Sequence, residues 1–226
     1  MADWKRMLNF VENKKSQMET SKETQKAKKG LKERFMKLLM STERDGIIKT
    51  MQMLERVGFF TAPASTKFHL SYDGGLMEHS LNVFDMAMDI REVIIKRCPE
   101  MEEKLPVNSV ILAALLHDVC KADIYKKTTK KQKNKDGVWE DVPGYDVDHG
   151  EYPFGHGEKS VIVLLQTGLK LTNDEALAIR WHMHAWDIPM QSYEAKGNFN
   201  KAKEITPLVQ LMIAADGLAS QILEGK

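Results

Sequence analysis

The chain has 226 residues, 42% of them hydrophobic, which is enough for one well-packed domain with an appendage. Its 33 lysines and arginines against 32 aspartates and glutamates give a formal net charge of +1, so no global charge directs it to nucleic acid or to an anionic membrane. The longest apolar runs, residues 110–116 and 161–165, are too short to span a bilayer, and the opening residues show no apolar signal-peptide core. Cys98 and Cys120 have neither zinc-knuckle spacing nor a disulfide pattern. We therefore expect a cytoplasmic protein that does not bind a membrane.

Residues 1–40 form a lysine-rich segment with few β-branched side chains, which predicts a mostly helical N-terminal arm. A solvated helical face explains this charge better than a nucleic-acid-binding arm does. Apolar side chains recur at helical spacing in residues 31–39 and, after a break at Asp45–Gly46, in residues 47–54. We place one main domain at residues 41–226.

The sequence predicts two long helices in the first part of the main domain. A loop at residues 58–75 leads into a helix whose apolar stripe runs from Leu76 to Ile94. Pro106 then opens a second helix, which contains the sequence AALLHDVCK at residues 113–121. Its apolar first half predicts a buried helix, yet a histidine and an aspartate follow directly.

The second part predicts a hairpin and three further helices. Residues 124–147 alternate polar and β-forming side chains around the turn signal Asp136–Gly137. Helix resumes after His156, and the capping-box pair Thr172 and Glu175 starts the next one. The last helix, in ITPLVQLMIAADGLASQIL, is apolar almost all round, as a central helix is. The chain is therefore predicted to be all-α with one small β-hairpin insertion.

Histidines and aspartates interrupt the inward faces and the ends of these helices. In chain order they are His79, His117, Asp118, His156, His182 and Asp216. Taken singly, each has an ordinary explanation as a hydrogen-bonded core histidine or a capping aspartate. As a set, with few lysines or arginines beside them, they require a positive charge at their centre. A divalent metal supplies it.

The ligand types narrow the choice of metal. Nitrogen and carboxylate ligands without thiolate suit Mn, Fe, Co, Ni or Zn better than calcium. Neighbouring residues on a helix point about 100° apart, so His117 and Asp118 cannot stack on one ion as i,i+4 pairs do. Asp118 has two oxygens, however, and can bridge two metals. We expect one or two divalent transition-metal ions.

The ordered motifs GGLMEHS, LLHDVCK, GHGEKS, RWHMH and AADG resemble those of the HD-domain superfamily of metal-dependent phosphohydrolases. The resemblance spans residues 68–222 and looks most like the branch with the fuller H…HD…H…H…D ligand set. It implies an HD-domain helical bundle. It also implies that a first metal is held by His79, His117, Asp118 and Asp216, and that a second is held at or near Asp118, His156 and His182.

The resemblance further implies residues that contact substrate. Lys121 matches a lysine expected to face a substrate phosphate, although a lysine that caps a helix would occupy the same position. His69 resembles a polar residue that approaches the site in relatives. His182 and His184 are two residues apart rather than adjacent, which favours His182 as ligand and leaves His184 facing substrate or solvent. Cys120 stands where glycine is usual in the family.

These observations predict a phosphohydrolase that acts on phosphate esters, with nucleotides or short oligonucleotides as substrates. A metal-activated hydroxide would attack phosphorus, and Asp118 and Lys121 would be the catalytic residues. The expected partner is a phosphorylated small molecule or nucleotide, with a short nucleic acid as a further candidate. Two alternatives remain: a di-iron oxygenase of the same fold, and a non-catalytic nucleotide-binding regulator. The sequence predicts neither the oligomeric state nor a choice between monoester and diester.

Overall fold

A computed structural model describes residues 24–150, 152–184 and 192–225 of the chain, and these ranges are mostly helical. The helices are α1 (residues 24–41), α2 (Ile47–Arg56), α3 (Gly75–Arg97), α4 (Met101–Lys104), α5 (Val107–Leu116), α6 (Lys121–Ile124), α7 (His156–Gln166), α8 (Asn173–Trp181), α9 (Tyr193–Ile205) and α10 (Pro207–Leu218). A 3₁₀ turn covers Phe59–Thr61, and a π-helical turn, Ala219–Leu223, continues α10. The predicted all-α architecture with a small hairpin is confirmed.

Helix α5 lies at the centre of the bundle. All its side chains from Ser109 to Leu116 are buried, and it packs between α3 and α8. Helix α10 packs against α3 and α8 in turn. Full burial of one leucine side chain stabilises a fold by about 1.5–3 kcal/mol, so this apolar helix contributes strongly to the core. The C-terminal ends of α5 and α8 are thereby held next to the C-terminal part of α10, where Asp216 lies.

The predicted hairpin forms from β1 (Tyr125–Lys133) and β2 (Trp139–Val147), which pair antiparallel from Tyr125 opposite Val147 to Lys133 opposite Trp139. Asn134 shapes the turn, because its side-chain oxygen accepts hydrogen bonds from the backbone N–H groups of Asp136 and Val138. Gly137 adopts the left-handed conformation there, with φ of 77°. The turn signal in the sequence therefore placed the hairpin correctly.

The predicted N-terminal arm, residues 1–40, falls in large part on residues 1–23, which lie outside the described residues. Its described part belongs to α1, where Phe35 and Leu39 are fully buried. The ring of Phe35 contacts the rings of Phe59 and Phe60. The packed core of the protein thus includes part of α1, while the role of the residues before α1 stays a prediction.

One described helical stretch, Met101–Ile124, is long and apolar enough to cross a membrane. The two helices Tyr193–Ile205 and Pro207–Leu223, which are bent against each other, would also be long and apolar enough if they formed one span. Within Met101–Ile124, however, 78% of the apolar window is buried inside the fold, as in the core helix of a soluble protein. We assign this stretch to the core. The cytoplasmic location stays a prediction.

Helices α7 and α8 approach each other closely at Gly157. A Cβ atom on this residue would lie 2.1 Å from the carbonyl oxygen of Arg180. Replacing Gly157 with alanine is therefore expected to lower the free energy of unfolding by about 1–3 kcal/mol, as measured by urea denaturation. Gly197 in α9 is the matched control, because a Cβ there has no described atom within 4 Å. Alanine at Gly197 is expected to raise the free energy of unfolding by about 0.4–1 kcal/mol, and a loss equal to that of Gly157→Ala would contradict the assignment.

Candidate metal centre

Four helices bring five of the six predicted metal ligands together. Helix α3 carries His79, the end of α5 presents His117 and Asp118, the end of α8 presents His182, and α10 carries Asp216. Every member but Asp216 is at most 1% exposed. The atoms in contact are His79 Nε2 with Asp216 Oδ1 at 3.3 Å, His79 Nε2 with His117 Nε2 at 3.3 Å, His117 Nε2 with Asp118 Oδ2 at 3.3 Å, and His182 Nε2 with Asp118 Oδ1 at 3.5 Å.

The backbone determines which nitrogen of His117 and His182 faces the centre. His117 Nδ1 lies 2.8 Å from the carbonyl oxygen of Ala114, and His182 Nδ1 lies 2.7 Å from that of Ile179. A carbonyl can only accept a hydrogen bond, so each Nδ1 carries the proton and donates it. Both histidines sit at helix C-termini, where the last carbonyls have no partner within the helix. Each Nε2 is therefore directed at the centre in the form in which histidine binds a metal.

Two buried polar atoms at the centre have no hydrogen-bond partner among the described residues. They are Asp118 Oδ1 and His182 Nε2, which face each other. Burying such atoms without a partner costs roughly 1–3 kcal/mol each. A cation between them would satisfy both, because each offers a lone pair. The donor set of imidazole nitrogens and carboxylate oxygens therefore fits a divalent transition metal.

Lys121 is the buried cation of the site. Its Nζ lies 2.6 Å from Asp118 Oδ2. Burial opposes ionisation of both groups. Their mutual attraction, together with the negative charge of Asp216, outweighs burial at Lys121 and raises its pKa. At Asp118 the same attraction, together with contacts to His117 and His182, outweighs burial and holds the pKa well below its usual range. Both side chains are charged at neutral pH, and the ammonium group lies directly beside the candidate metal ligands.

The remaining charges favour a bound cation. Burial raises the pKa of Asp216, but its hydrogen bond with His79 and its electrostatic attraction to the surrounding histidines together outweigh this effect, and the pKa is lowered. Burial likewise lowers the pKa of His79, but contacts with Asp216 and Glu224 raise it to about 9. At this pKa His79 is protonated at pH 7 when no metal is bound, and a metal at its Nε2 would displace that proton. The carboxylates of Asp118, Asp216 and Glu224 carry three negative charges, of which Lys121 compensates one and leaves two. A divalent ion would balance them.

A cavity of about 550 Å³ opens beside these ligands. Its lining includes the three predicted substrate-binding residues, Lys121, His184 and His69. His69 Nε2 is buried without a hydrogen-bond partner among the described atoms, and its ring centroid lies 5.0 Å from that of His79. Burial, together with the charges of His79 and Lys121, lowers the pKa of His69 to about 4, so this ring is neutral at pH 7. The three residues are thus in place to contact a ligand in this cavity.

Among the described residues, His156 belongs to none of the groups of candidate metal ligands. His156 is half-buried at the first residue of α7. In the described part of the chain, three groups of side chains have ligand atoms within 4.8 Å of one another, and none includes His156. That His156 is a ligand of a second metal is therefore still only a prediction from the sequence.

Glu224 is a residue of the site that sequence reasoning missed. Its carboxylate contacts His79 Nδ1 at 3.0 Å, and its side chain is 1% exposed. A glutamate after the residues SQIL carries no motif. Only its distance from Asp216, eight residues or about two helical turns, connects it with a predicted site residue.

Cys120, which stands where glycine is usual in the family, does not offer a nucleophile. The residue is buried, and its backbone N–H donates a hydrogen bond to Ser160 Oγ at 3.3 Å. Burial raises the pKa of its thiol to about 12. A thiol with this pKa is protonated at neutral pH and unreactive.

Parts of this chain are similar in sequence to known proteins. The dihydroneopterin 2′,3′-cyclic phosphate phosphodiesterase of Methanocaldococcus jannaschii is 32% identical to the chain over 90 residues, which cover 39% of this chain and 32% of that enzyme. The match thus spans about a third of the length of the relative. No solved structure matches the chain significantly. The family model described as "HD domain" matches residues 76–221, which contain the five clustered candidate ligands and the cavity residues Lys121 and His184. With this match over more than half of its length, the chain belongs to the HD-domain family.

Proposed function

We propose that the protein is a metal-dependent phosphohydrolase that acts on phosphate esters. One observation carries this proposal: three imidazole Nε2 atoms and two carboxylates converge. Among the described residues, Asp118 Oδ1 and His182 Nε2 find no hydrogen-bond partner there. A divalent metal, when bound, supplies an activated water at neutral pH and offsets the charge on a phosphoryl oxygen. Membership of the HD-domain family supports the same chemistry.

Two groups of side chains would hold metal ions. His79, His117, Asp118 and Asp216 would hold one metal. The second oxygen of Asp118 and His182 would hold another, with His156 as a further ligand under the resemblance to the fuller ligand set. Family membership does not distinguish one ion from two, so metal number and identity remain part of the proposal. Mn, Fe, Co, Ni and Zn all suit these donors.

Lys121 is proposed to bind the phosphate of the substrate. Its ammonium group lines the cavity and is held by Asp118, so it needs no rearrangement to meet a negatively charged oxygen. His69, neutral at pH 7, and His184 line the same cavity and would donate hydrogen bonds to the substrate. Asp118 and Lys121 are therefore the proposed catalytic residues, and His69 and His184 would orient the ester.

The substrate class is proposed from the cavity and from the relative. A cavity of about 550 Å³ falls within the range of small-molecule sites, which suits a nucleotide or another phosphorylated small molecule. The relative is named as a phosphodiesterase of a cyclic phosphate, which favours a diester over a monoester. Short oligonucleotides remain candidates because the hairpin carries Lys126, Lys127, Lys130 and Lys131.

A panel of phosphate esters tests this proposal. Metal-free protein reconstituted with each of the five metals is expected to hydrolyse bis-p-nitrophenyl phosphate or a 2′,3′-cyclic nucleotide. A chelator should abolish this turnover, and added metal should restore it. Asp89→Ala, on the exposed face of α3, is the control that should keep full activity. Metal-loaded protein that hydrolyses no ester would contradict the proposal, and oxygen consumption by the Fe-loaded form would instead support the di-iron oxygenase.

A further inference from the structure

Glu224 lies behind His79, on the side of the ring away from the candidate metal ligands. The Nε2 atom of His79 faces Asp216, His117 and Asp118, whereas its Nδ1 atom lies 3.1 Å and 3.0 Å from the two carboxylate oxygens of Glu224. Glu224 Oε1 also accepts a hydrogen bond of 2.9 Å from the side-chain amide of Asn82. The carboxylate is therefore held from two sides by residues of α3.

His79 needs such a partner because of its place in its helix. His117 and His182 sit at helix ends and donate their Nδ1 protons to backbone carbonyls three residues earlier. His79 lies within α3, which continues to Arg97, so the carbonyls next to it take part in the hydrogen bonds of the helix. An acceptor for its Nδ1 proton must come from another element. Glu224 supplies that acceptor, and its full negative charge makes it a stronger one than a carbonyl.

The π-helical turn Ala219–Leu223 directs Glu224 toward this position. In an unbroken α-helix, Glu224 would point about 80° away from Asp216, because eight residues exceed two turns by that angle. The π-helical turn contains more residues than an α-helical one and closes with a hydrogen bond of 3.0 Å from the N–H of Glu224 to the carbonyl oxygen of Ala219. It thereby turns Glu224 back to the face that carries Asp216. The two acidic residues of this one element contact opposite nitrogens of the same imidazole ring.

We propose that Glu224 is a positioning residue that fixes the Nδ1–H tautomer and the orientation of His79, so that Nε2 is available to a metal. This inference rests on the metal site of the proposed function. Carboxylates that accept the second N–H of a ligating histidine are a general device of metal sites, and their removal weakens metal binding about 10- to 100-fold. Glu224 acts through His79 and needs no contact with the metal or the substrate.

Metal affinity tests the inference without any hydrolysis assay. Metal-free wild-type protein and variants are titrated with Zn²⁺ against a chelating dye of known affinity. Glu224→Ala is expected to raise the dissociation constant about 100-fold, and Glu224→Gln, which keeps the size and one acceptor oxygen but loses the charge, about 10-fold. Glu204→Gln is the matched control on the exposed face of α9 and should bind as the wild type does.

Nitrogen-15 NMR of the Zn²⁺-loaded proteins supplies the second readout. The wild type should show the Nδ1–H tautomer of His79, and Glu224→Ala should lose that signature or show a mixture. If Glu224→Ala fails to fold, the metal affinity and the His79 tautomer of Glu224→Gln test the inference instead. Wild-type affinity in Glu224→Gln together with an unchanged His79 tautomer would overturn the inference and leave the proposed function standing. If the wild type bound no divalent metal, both would fail together.

Discussion

Replacing Asp118 with alanine is expected to remove bound metal and phosphoester hydrolysis together, with a loss of activity of about 10³-fold or more. The two oxygens of Asp118 face different partners, with Oδ2 3.3 Å from His117 Nε2 and Oδ1 3.5 Å from His182 Nε2. The substitution would therefore remove a ligand from each half of the cluster. Inductively coupled plasma analysis gives the metal content, and turnover of a phosphodiester gives the activity.

A second variant separates ligand loss from loss of the fold. Alanine at position 118 leaves the Lys121 ammonium buried without its partner, which by itself destabilises the protein. Asp118→Asn keeps the size of the side chain but removes its charge and replaces one carboxylate oxygen with an amide NH₂, which cannot bind a metal. It should fold, as judged by circular dichroism, and still lose most of its metal. Full metal content in a folded Asp118→Asn variant would refute the role of Asp118 as a bridge.

Replacing Glu175 with alanine is expected to cost about 3–5 kcal/mol of unfolding free energy, because it breaks a buried ion pair. Its fully buried carboxylate accepts two hydrogen bonds of 2.7 Å from the guanidinium of Arg44 and one of 2.6 Å from Ser109 Oγ. It also accepts a hydrogen bond of 2.8 Å from the N–H of Thr172, which completes the capping box of α8. One carboxylate therefore links α5, α8 and the segment before α2.

Chemical denaturation of the metal-free protein measures this effect. The matched control is Glu33→Ala, which breaks an exposed i,i+4 pair with Lys29 and should change the free energy by less than about 0.5 kcal/mol. Glu175→Ala should also lower metal affinity, because Glu175 links α5 to α8. These helices end at His117 and His182, whose ring centroids lie only 4.7 Å apart. A Glu175→Ala variant as stable as Glu33→Ala would contradict the central role of this network.

The sequence was sufficient where local patterns decide structure. Apolar periodicity predicted the long helices, the Thr172 and Glu175 pair predicted the start of α8, and Asp136–Gly137 predicted the hairpin turn. These signals act within a few residues, so they can be interpreted without knowledge of the fold. The residue types of the candidate ligands could also be predicted from the sequence, because a histidine or an aspartate interrupts the apolar pattern of a buried helix.

Contacts between distant residues could not be predicted in this way. His79 and Glu224 are 145 residues apart, and Arg44 and Glu175 are 131 residues apart, so no local pattern connects either pair. The same limit applies to His156, whose motif matched the family pattern but whose position is outside the described clusters. Helix packing, rather than spacing along the chain, determines which side chains meet.

The sequence by itself thus determined the fold class, the family resemblance and the identity of the five clustered residues that we propose as metal ligands. Only the tertiary structure decided the form in which they meet: which histidine nitrogen faces the centre, which oxygen of Asp118 contacts Lys121, and which carboxylate supports His79. The physical reason is that hydrogen bonds and ion pairs depend on distances of about 3 Å between atoms. Such distances arise only when the helices are packed against one another.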